Sequence, residues 1–152
     1  MAIEEITTDK LQNLIQQPKH VTNPKARRRT EEKYERIDYE VTAQEGELKF
    51  RIYLRQNTTD PEDFSCGIRW VMPSGETLTL ARYNGSNHIH HEIEFQCHIH
   101  RATEEAIRQG RKPEHHAEAT KLFHTLDGAL HCLLNDLKVS GLESHPDQAE
   151  LF

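Results

Sequence analysis

The segment from residue 33 to residue 83 alternates apolar and polar residues with a period of two, and this pattern limits the fold most narrowly. The apolar residues fall into four groups, separated by Glu45-Gly46, by a loop around Pro61 and by Pro73-Ser74-Gly75. Successive side chains of a β-strand point to opposite faces of a sheet, so each group predicts a strand with one buried face. The short turns between them predict an antiparallel meander with one apolar and one charged face.

Other segments show the spacing of helices or of one more strand. Residues 125–138 carry a regular apolar stripe of Leu126, Ala129, Leu130, Leu133, Leu134 and Leu137. A shorter stripe predicts a helix over residues 7–17, and a third helix is predicted from about 101 to 109. Residues 92–99 alternate again and predict a fifth strand. We therefore predict an α+β fold, an antiparallel four- to five-stranded sheet with two or three helices, chiefly on one face.

The length of 152 residues suits one domain with its own core. We assign that domain to residues 1–142. Within it, residues 18–30 contain two prolines and a basic cluster, which predicts an extended linker after the first helix. Residues 143–152 carry only acidic charges and one histidine, and predict a flexible acidic tail.

Composition excludes several classes of protein. Hydrophobic residues make up 35% of the chain and charged residues 29%, and no apolar run reaches the length of a membrane span. The first residues are acidic where a signal peptide needs basic ones, so we expect a cytoplasmic protein that does not enter a membrane. Three widely spaced cysteines, Cys66, Cys97 and Cys132, predict free thiols and no structural zinc ribbon.

The net charge of −6 conceals a local basic cluster. The cluster consists of Lys25, Arg27, Arg28 and Arg29. A patch of this kind can dock phosphates even on an acidic protein, which makes Arg27, Arg28 and Arg29 candidate RNA-binding residues. Basic runs are equally often only solvated, so a solvated loop is the alternative.

Residues 88–100 contain five of the 11 histidines, and the tripeptide His-Ile-His occurs there twice, at 88–90 and at 98–100. Imidazole is the one side chain whose ordinary pKa puts its charge change near neutral pH. Residues two apart in a strand share a face, so each tripeptide presents two imidazoles together. The segment is therefore a candidate for metal binding, proton transfer or pH sensing.

Two chemical interpretations fit these histidines. In the first, His88, His90, His98 and His100 surround a metal ion such as zinc. In the second, no cofactor is needed, and the groups cleave RNA at its own 2′-hydroxyl, a reaction that requires a base, an acid and a cation. Under the second interpretation the catalytic residues are His88, His100, Arg82 and Tyr83, and the binding residues are Arg101 and His98.

A third interpretation gives the histidines ordinary roles. His98 and His100 then support the helix that follows, and His88, His90 and His91 are exposed loop residues. Histidines in such positions also tune the pH response of protein-interaction domains. The sequence leaves all three interpretations open.

Two strings, Leu80-Ala-Arg-Tyr-Asn-Gly-Ser-Asn-His88 and Cys97-His-Ile-His-Arg-Ala-Thr-Glu104, resemble an uncharacterised family of small bacterial proteins. That resemblance runs from about Pro18 to Leu142 and implies no particular activity. Residues 76–137 also resemble TumE-like toxins of toxin–antitoxin pairs, in which a strand ends in a turn like Tyr83-Asn84 before a histidine-rich loop and a leucine-rich helix. This second resemblance implies an RNA-cleaving toxin whose partner is an antitoxin protein.

Residue chemistry and resemblance together predict a toxin-like ribonuclease that uses histidine acid–base chemistry, with RNA as substrate and no cofactor. The alternative is a non-catalytic metal-binding or regulatory module, with zinc as the metal, or a protein-interaction module.

Overall fold

The computed structural model describes residues 2–87 and 95–142, and one β-sheet dominates them. Its strands are β1 (Lys19–Val21), β2 (Arg29–Glu31), β3 (Tyr34–Ala43), β4 (Leu48–Asn57), β5 (Phe64–Val71), β6 (Thr77–Asn84), β7 (His98–Arg101), β8 (His116–Ala119) and β9 (Val139–Ser140). The α-helices are α1 (Thr8–Gln16), α2 (Glu104–Arg108) and α3 (Leu126–Asp136), and Ile3–Glu5 and Gln44–Gly46 form single 3₁₀ turns.

The strands are ordered β8-β7-β6-β5-β4-β3-β1-β9, and β2 pairs with the first part of β3. β1 and β9 run parallel, while the other pairs in the described part of the chain are antiparallel. The prediction of an antiparallel sheet with four to five strands is therefore wrong. Within the described residues, the sheet is mixed and has nine strands.

The prediction missed β1, β2, β8 and β9 because all four are short, and β8 has only four residues. β1, β2 and β9 have two or three residues each, which is too few to leave a periodic pattern in the sequence. β1 and β2 lie inside residues 18–30, the predicted linker. β1 forms because backbone partners far along the chain are available, and Lys19 N, for example, donates to Lys138 O at 2.8 Å. β2 instead pairs with the adjacent β3 as a hairpin. The predicted tail, residues 143–152, lies outside the described residues.

The predicted fifth strand starts later than expected, and the helix after it is shorter than expected. β7 begins only at His98 and includes Arg101, and α2 occupies Glu104–Arg108. Thr103 starts the helix as its N-cap, since its side chain accepts a hydrogen bond from Ala106 N. Residues 92–94 of the predicted strand lie outside the described residues.

The core lies between one face of the sheet and the helices α1 and α3. Side chains of β3–β6 alternate onto this inner face, and the leucine stripe of α3 packs against them. The largest fully buried side chains include Tyr39, Phe50, Phe64 and Tyr83. The opposite side of the sheet, here called the outer face, carries the polar members of the alternation.

A β-bulge in β6 decides which residues reach the outer face. Ala81 pairs with Ile68 but Thr79 pairs with Arg69, so Leu80 is an extra residue in β6. The bulge lets both Leu80 and Ala81 bury their side chains. It also shifts the alternation that follows by one position, so that Arg82 falls on the outer face although Leu78 and Leu80 belong to the core.

Candidate functional site

The second half of β6 and the strand β7 bring four polar residues together on the outer face. In the pairing of these strands, Arg82 lies opposite His100 and Asn84 lies opposite His98. The two imidazole rings meet edge to face, with their centroids 5.0 Å apart and their planes at 65°. His98 is 1% exposed and His100 is 2% exposed, which is unusually deep burial for two titratable groups.

Backbone carbonyls orient both rings. His98 Nδ1 lies 3.1 Å from Gln96 O, and His100 Nδ1 lies 3.0 Å from Glu114 O. A carbonyl oxygen only accepts hydrogen bonds, so the Nδ1 atom of each ring carries a proton. In the neutral form of each ring, Nε2 is then the atom with the lone pair.

A chain of hydrogen bonds connects His98 to the centre of the sheet. Asn84 Nδ2 donates to His98 Nε2 at 3.4 Å, which turns Asn84 Oδ1 toward Ser65. Ser65 Oγ donates to Asn84 Oδ1 at 2.8 Å, and Tyr53 Oη donates to Ser65 Oγ at 3.1 Å. Gly67 makes room for Tyr53, because a Cβ atom there would lie 2.8 Å from the Tyr53 ring. The sequence does not predict Tyr53, Ser65 or Asn84 as site residues. Tyr53 and Ser65 look like ordinary polar members of strands, and Asn84 is predicted in a turn although it ends β6.

Arg82 supplies the positive charge of the site. Its Nη1 atom lies 3.5 Å from Glu114 Oε2, while its Nε atom is buried and has no hydrogen-bond partner among the described residues. Burial lowers the pKa of His98 below its ordinary value, and the charge of Arg82 lowers it further against the opposing effect of the Gln96 carbonyl. His98 is therefore neutral at pH 7.

Two of the predicted catalytic and binding residues lie away from this cluster. Tyr83 alternates onto the inner face, is fully buried, and donates to Asp136 Oδ2 at 2.6 Å. Burial, together with the Asp136 carboxylate, raises the pKa of Tyr83 far above its usual value. Arg101 points to the opposite side of β7 from His100 and pairs with Glu118 at 3.6 Å.

The predicted basic cluster lies at the start of β2, at the far end of the sheet. Arg28 pairs with Glu35 at 3.2 Å and Arg29 with Glu31 at 3.4 Å, and Arg27 is exposed. The structure therefore places Arg27, Arg28 and Arg29 several strands away from His98 and His100.

Of the four predicted metal ligands, His98 and His100 are described, whereas His88 and His90 lie outside the described residues. Within residues 2–87 and 95–142, no three His, Cys, Asp or Glu side chains converge as metal ligands would. The cysteines are free thiols, with Cys66 and Cys97 buried and Cys132 half-buried.

Comparisons of the chain with protein-family models, with curated proteins and with solved structures found no match. In the part of the chain that the structure describes, no helix has the length and apolarity needed to cross a bilayer. Function is therefore inferred from the chemistry of the site.

Proposed function

We propose that this protein cleaves RNA by acid–base catalysis at the cluster of His98, His100 and Arg82. The observation that carries the proposal is the pair of oriented imidazoles, 5.0 Å apart, beside a guanidinium group with a buried Nε atom. Two histidines and an arginine supply the base, the acid and the phosphate-binding cation that the reaction needs.

In both rings Nε2 is the atom left to exchange a proton with the substrate, because Nδ1 is bonded to a backbone carbonyl. His98 Nε2 takes the proton from the 2′-hydroxyl, O2′ attacks phosphorus, and the bond from phosphorus to O5′ breaks. A proton from Nε2 of the His100 imidazolium then passes to O5′. The products are a 2′,3′-cyclic phosphate and a free 5′-hydroxyl, and the proton held by His98 returns to solvent or to His100.

Electrostatics favours the role of His98 as the base and of Arg82 as the phosphate-binding cation. A neutral His98 can act as a base at pH 7, and the long 3.4 Å contact from Asn84 is weak enough to be exchanged for the substrate hydroxyl. Arg82 Nε, which has no acceptor among the described residues, gains one when a phosphate binds. Because both rings are almost fully buried, substrate entry requires the residues that cover them to move, and the dry site strengthens each charge interaction.

The direct test is incubation of the purified protein with a single-stranded RNA in the presence of a chelator. We expect fragments that end in a 2′,3′-cyclic phosphate, because the attacking group is the RNA's own 2′-hydroxyl. The same sequence made with 2′-O-methyl ribose is the matched control and should stay intact. Cleavage of that control, or intact RNA after incubation, would exclude the mechanism.

A toxin of this type has an antitoxin protein as its partner, which is what the resemblance to TumE-like toxins implies. The corresponding test in cells expresses the chain alone in a bacterium and measures the growth of the cells and the integrity of their RNA.

Zinc binding is the second candidate, and the anchoring of the histidines favours it. Histidines that bind metals donate their second ring N–H to a carbonyl or carboxylate, as His98 and His100 do through Nδ1. Under this proposal the two Nε2 lone pairs, with His88 and His90, hold the ion.

For the zinc candidate we expect one zinc ion per chain and a higher melting temperature when zinc is added. Affinity should fall as the pH drops through about 6, because protonated imidazoles do not bind metals. His100→Ala should remove the effect, and His131→Ala, a change of an exposed histidine on α3, should not. A wild-type melting temperature that zinc leaves unchanged would exclude this candidate.

A further inference from the structure

The outer face continues beyond the histidines as a surface rich in arginine, which we call the arginine platform. It consists of Tyr34 and Arg36 on β3, Tyr53 and Arg55 on β4, and Arg69 on β5. The strand register places all five on the same face as Arg82. On a protein with a net charge of −6, a local excess of arginine indicates a surface that attracts a negatively charged partner.

The two tyrosines hold the guanidinium groups in place. Arg36 Cζ lies 5.1 Å and Arg69 Cζ 5.3 Å from the centre of the Tyr53 ring. Arg55 Cζ lies 4.3 Å from the centre of the Tyr34 ring. Contacts of this kind restrict side chains that are otherwise flexible, so the platform presents its charges in a defined arrangement.

Two of these arginines are not paired with a carboxylate group of the described residues. Arg36 contacts Asp38 at 3.0–3.2 Å through three hydrogen bonds, and Asp38 also pairs with Arg29 on β2. Arg55 and Arg69, by contrast, form no ion pair with any carboxylate among the described residues. Arg55 Nε is moreover buried and has no hydrogen-bond partner there. Because guanidinium groups bind phosphate through paired hydrogen bonds and also stack on bases, these two groups suit a nucleic acid strand.

The platform is continuous with the histidine cluster. Arg55 pairs with Ser65, Ser65 with Asn84, and Asn84 with His98, so one cross-strand row joins them. Neighbouring strands lie about 4.8 Å apart, which places Arg55 and His98 about 14 Å from each other. An extended strand bound at the histidines would therefore pass over the platform.

We infer that the arginine platform binds the single-stranded RNA that the histidine cluster cleaves, with Arg55 and Arg69 as its principal phosphate or base contacts. This inference rests on the proposed function. It adds a second contact region, three strands away from the reacting phosphate, and so gives the substrate a direction across the sheet.

The test measures binding separately from cleavage. The probe is a fluorescent single-stranded RNA of about ten nucleotides with 2′-O-methyl ribose, which cannot react, and the readout is fluorescence anisotropy at several salt concentrations. The test variants are Arg69→Gln, which changes an exposed side chain, and Arg55→Gln/Arg69→Gln. The matched control is Arg108→Gln/Lys121→Gln, which removes two positive charges from exposed positions on α2 and after β8.

We expect Kd to rise about tenfold for each platform arginine removed. The slope of log K against log salt should become shallower by about 0.7 for each lost phosphate contact. The control variant should change neither quantity. A wild type that does not bind the probe, or platform and control variants that behave alike, would overturn the inference. If the probe binds tightly and through the platform, but unmodified RNA stays intact, the inference about the platform holds and the ribonuclease proposal is excluded.

Discussion

Replacing either His98 or His100 by alanine should lower kcat/KM for RNA cleavage by about 10²–10⁴-fold, because each imidazole transfers a proton in the proposed mechanism. Both rings share one site, so the double variant should be little worse than the more damaged single variant. The measurement is the initial rate of formation of the cyclic phosphate.

Burial makes a loss of folding the first alternative explanation for such a result. His98→Asn and His100→Asn keep a hydrogen-bonding side chain of smaller volume and serve as second variants, checked by circular dichroism and melting temperature. His124→Ala, a change of an exposed histidine, is the matched control. A folded His98→Asn/His100→Asn protein with wild-type rates would contradict the assigned roles.

Under the proposed mechanism, the same site sets the pH dependence of the rate. Burial and Arg82 lower the pKa of His98 from its ordinary value of 6.5, so His98 takes up its proton in the folded protein only at a pH below that value. The acidic limb of the pH–rate profile should therefore lie below pH 6.5. Replacing Arg82 by glutamine removes the nearby positive charge and should move that limb to higher pH.

Lys19→Met should lower the free energy of unfolding by about 2–4 kcal/mol at pH 7, because buried carbonyl groups lose their donor. Lys19 is 3% exposed, and its Nζ donates to Ile15 O and Gln17 O at 3.0 Å and to Leu137 O at 2.8 Å. One ammonium group thus caps the C-terminal ends of both α1 and α3, where the helix dipoles favour a cation. Urea unfolding measures the change, and Lys25→Met, at an exposed position, is the control.

The pH dependence of the same variant provides a second readout. Burial, and to a smaller extent the charge of Lys138, lowers the pKa of Lys19 to about 8 from 10.5. Between these two values the unfolded chain binds the proton more strongly, so the stability of the wild type rises with pH. The difference in stability between wild type and Lys19→Met should therefore grow from pH 8 to pH 10.5. A difference that stays constant would contradict the buried ammonium.

The sequence alone determined the elements whose pattern is local. The alternation in residues 33–83 corresponds to β3–β6, and the leucine stripe corresponds to α3. Both could be predicted because a period of two or of 3.6 residues is a property of residues that are close together in the sequence. The density of histidines also directed attention to residues 88–100, and strand geometry places His98 and His100 on one face. The histidine content of residues 88–100 indicates a candidate site even when their neighbours in the folded structure are unknown.

Only the tertiary structure decided what surrounds those histidines. The bulge at Leu80 moved Arg82 to the outer face and Tyr83 to the core, and no residue pattern announces a bulge. The register of β4–β7 brought Tyr53, Ser65 and Asn84 into line with His98. The role of Lys19 could not be predicted from the sequence for the same reason. The sequence places Lys19 in a linker, and only the tertiary structure brings the ends of α1 and α3 to its ammonium group. The physical reason is common to all of these: pairing register and helix docking join residues far apart in the chain, and local periodicity carries no information about such distant partners.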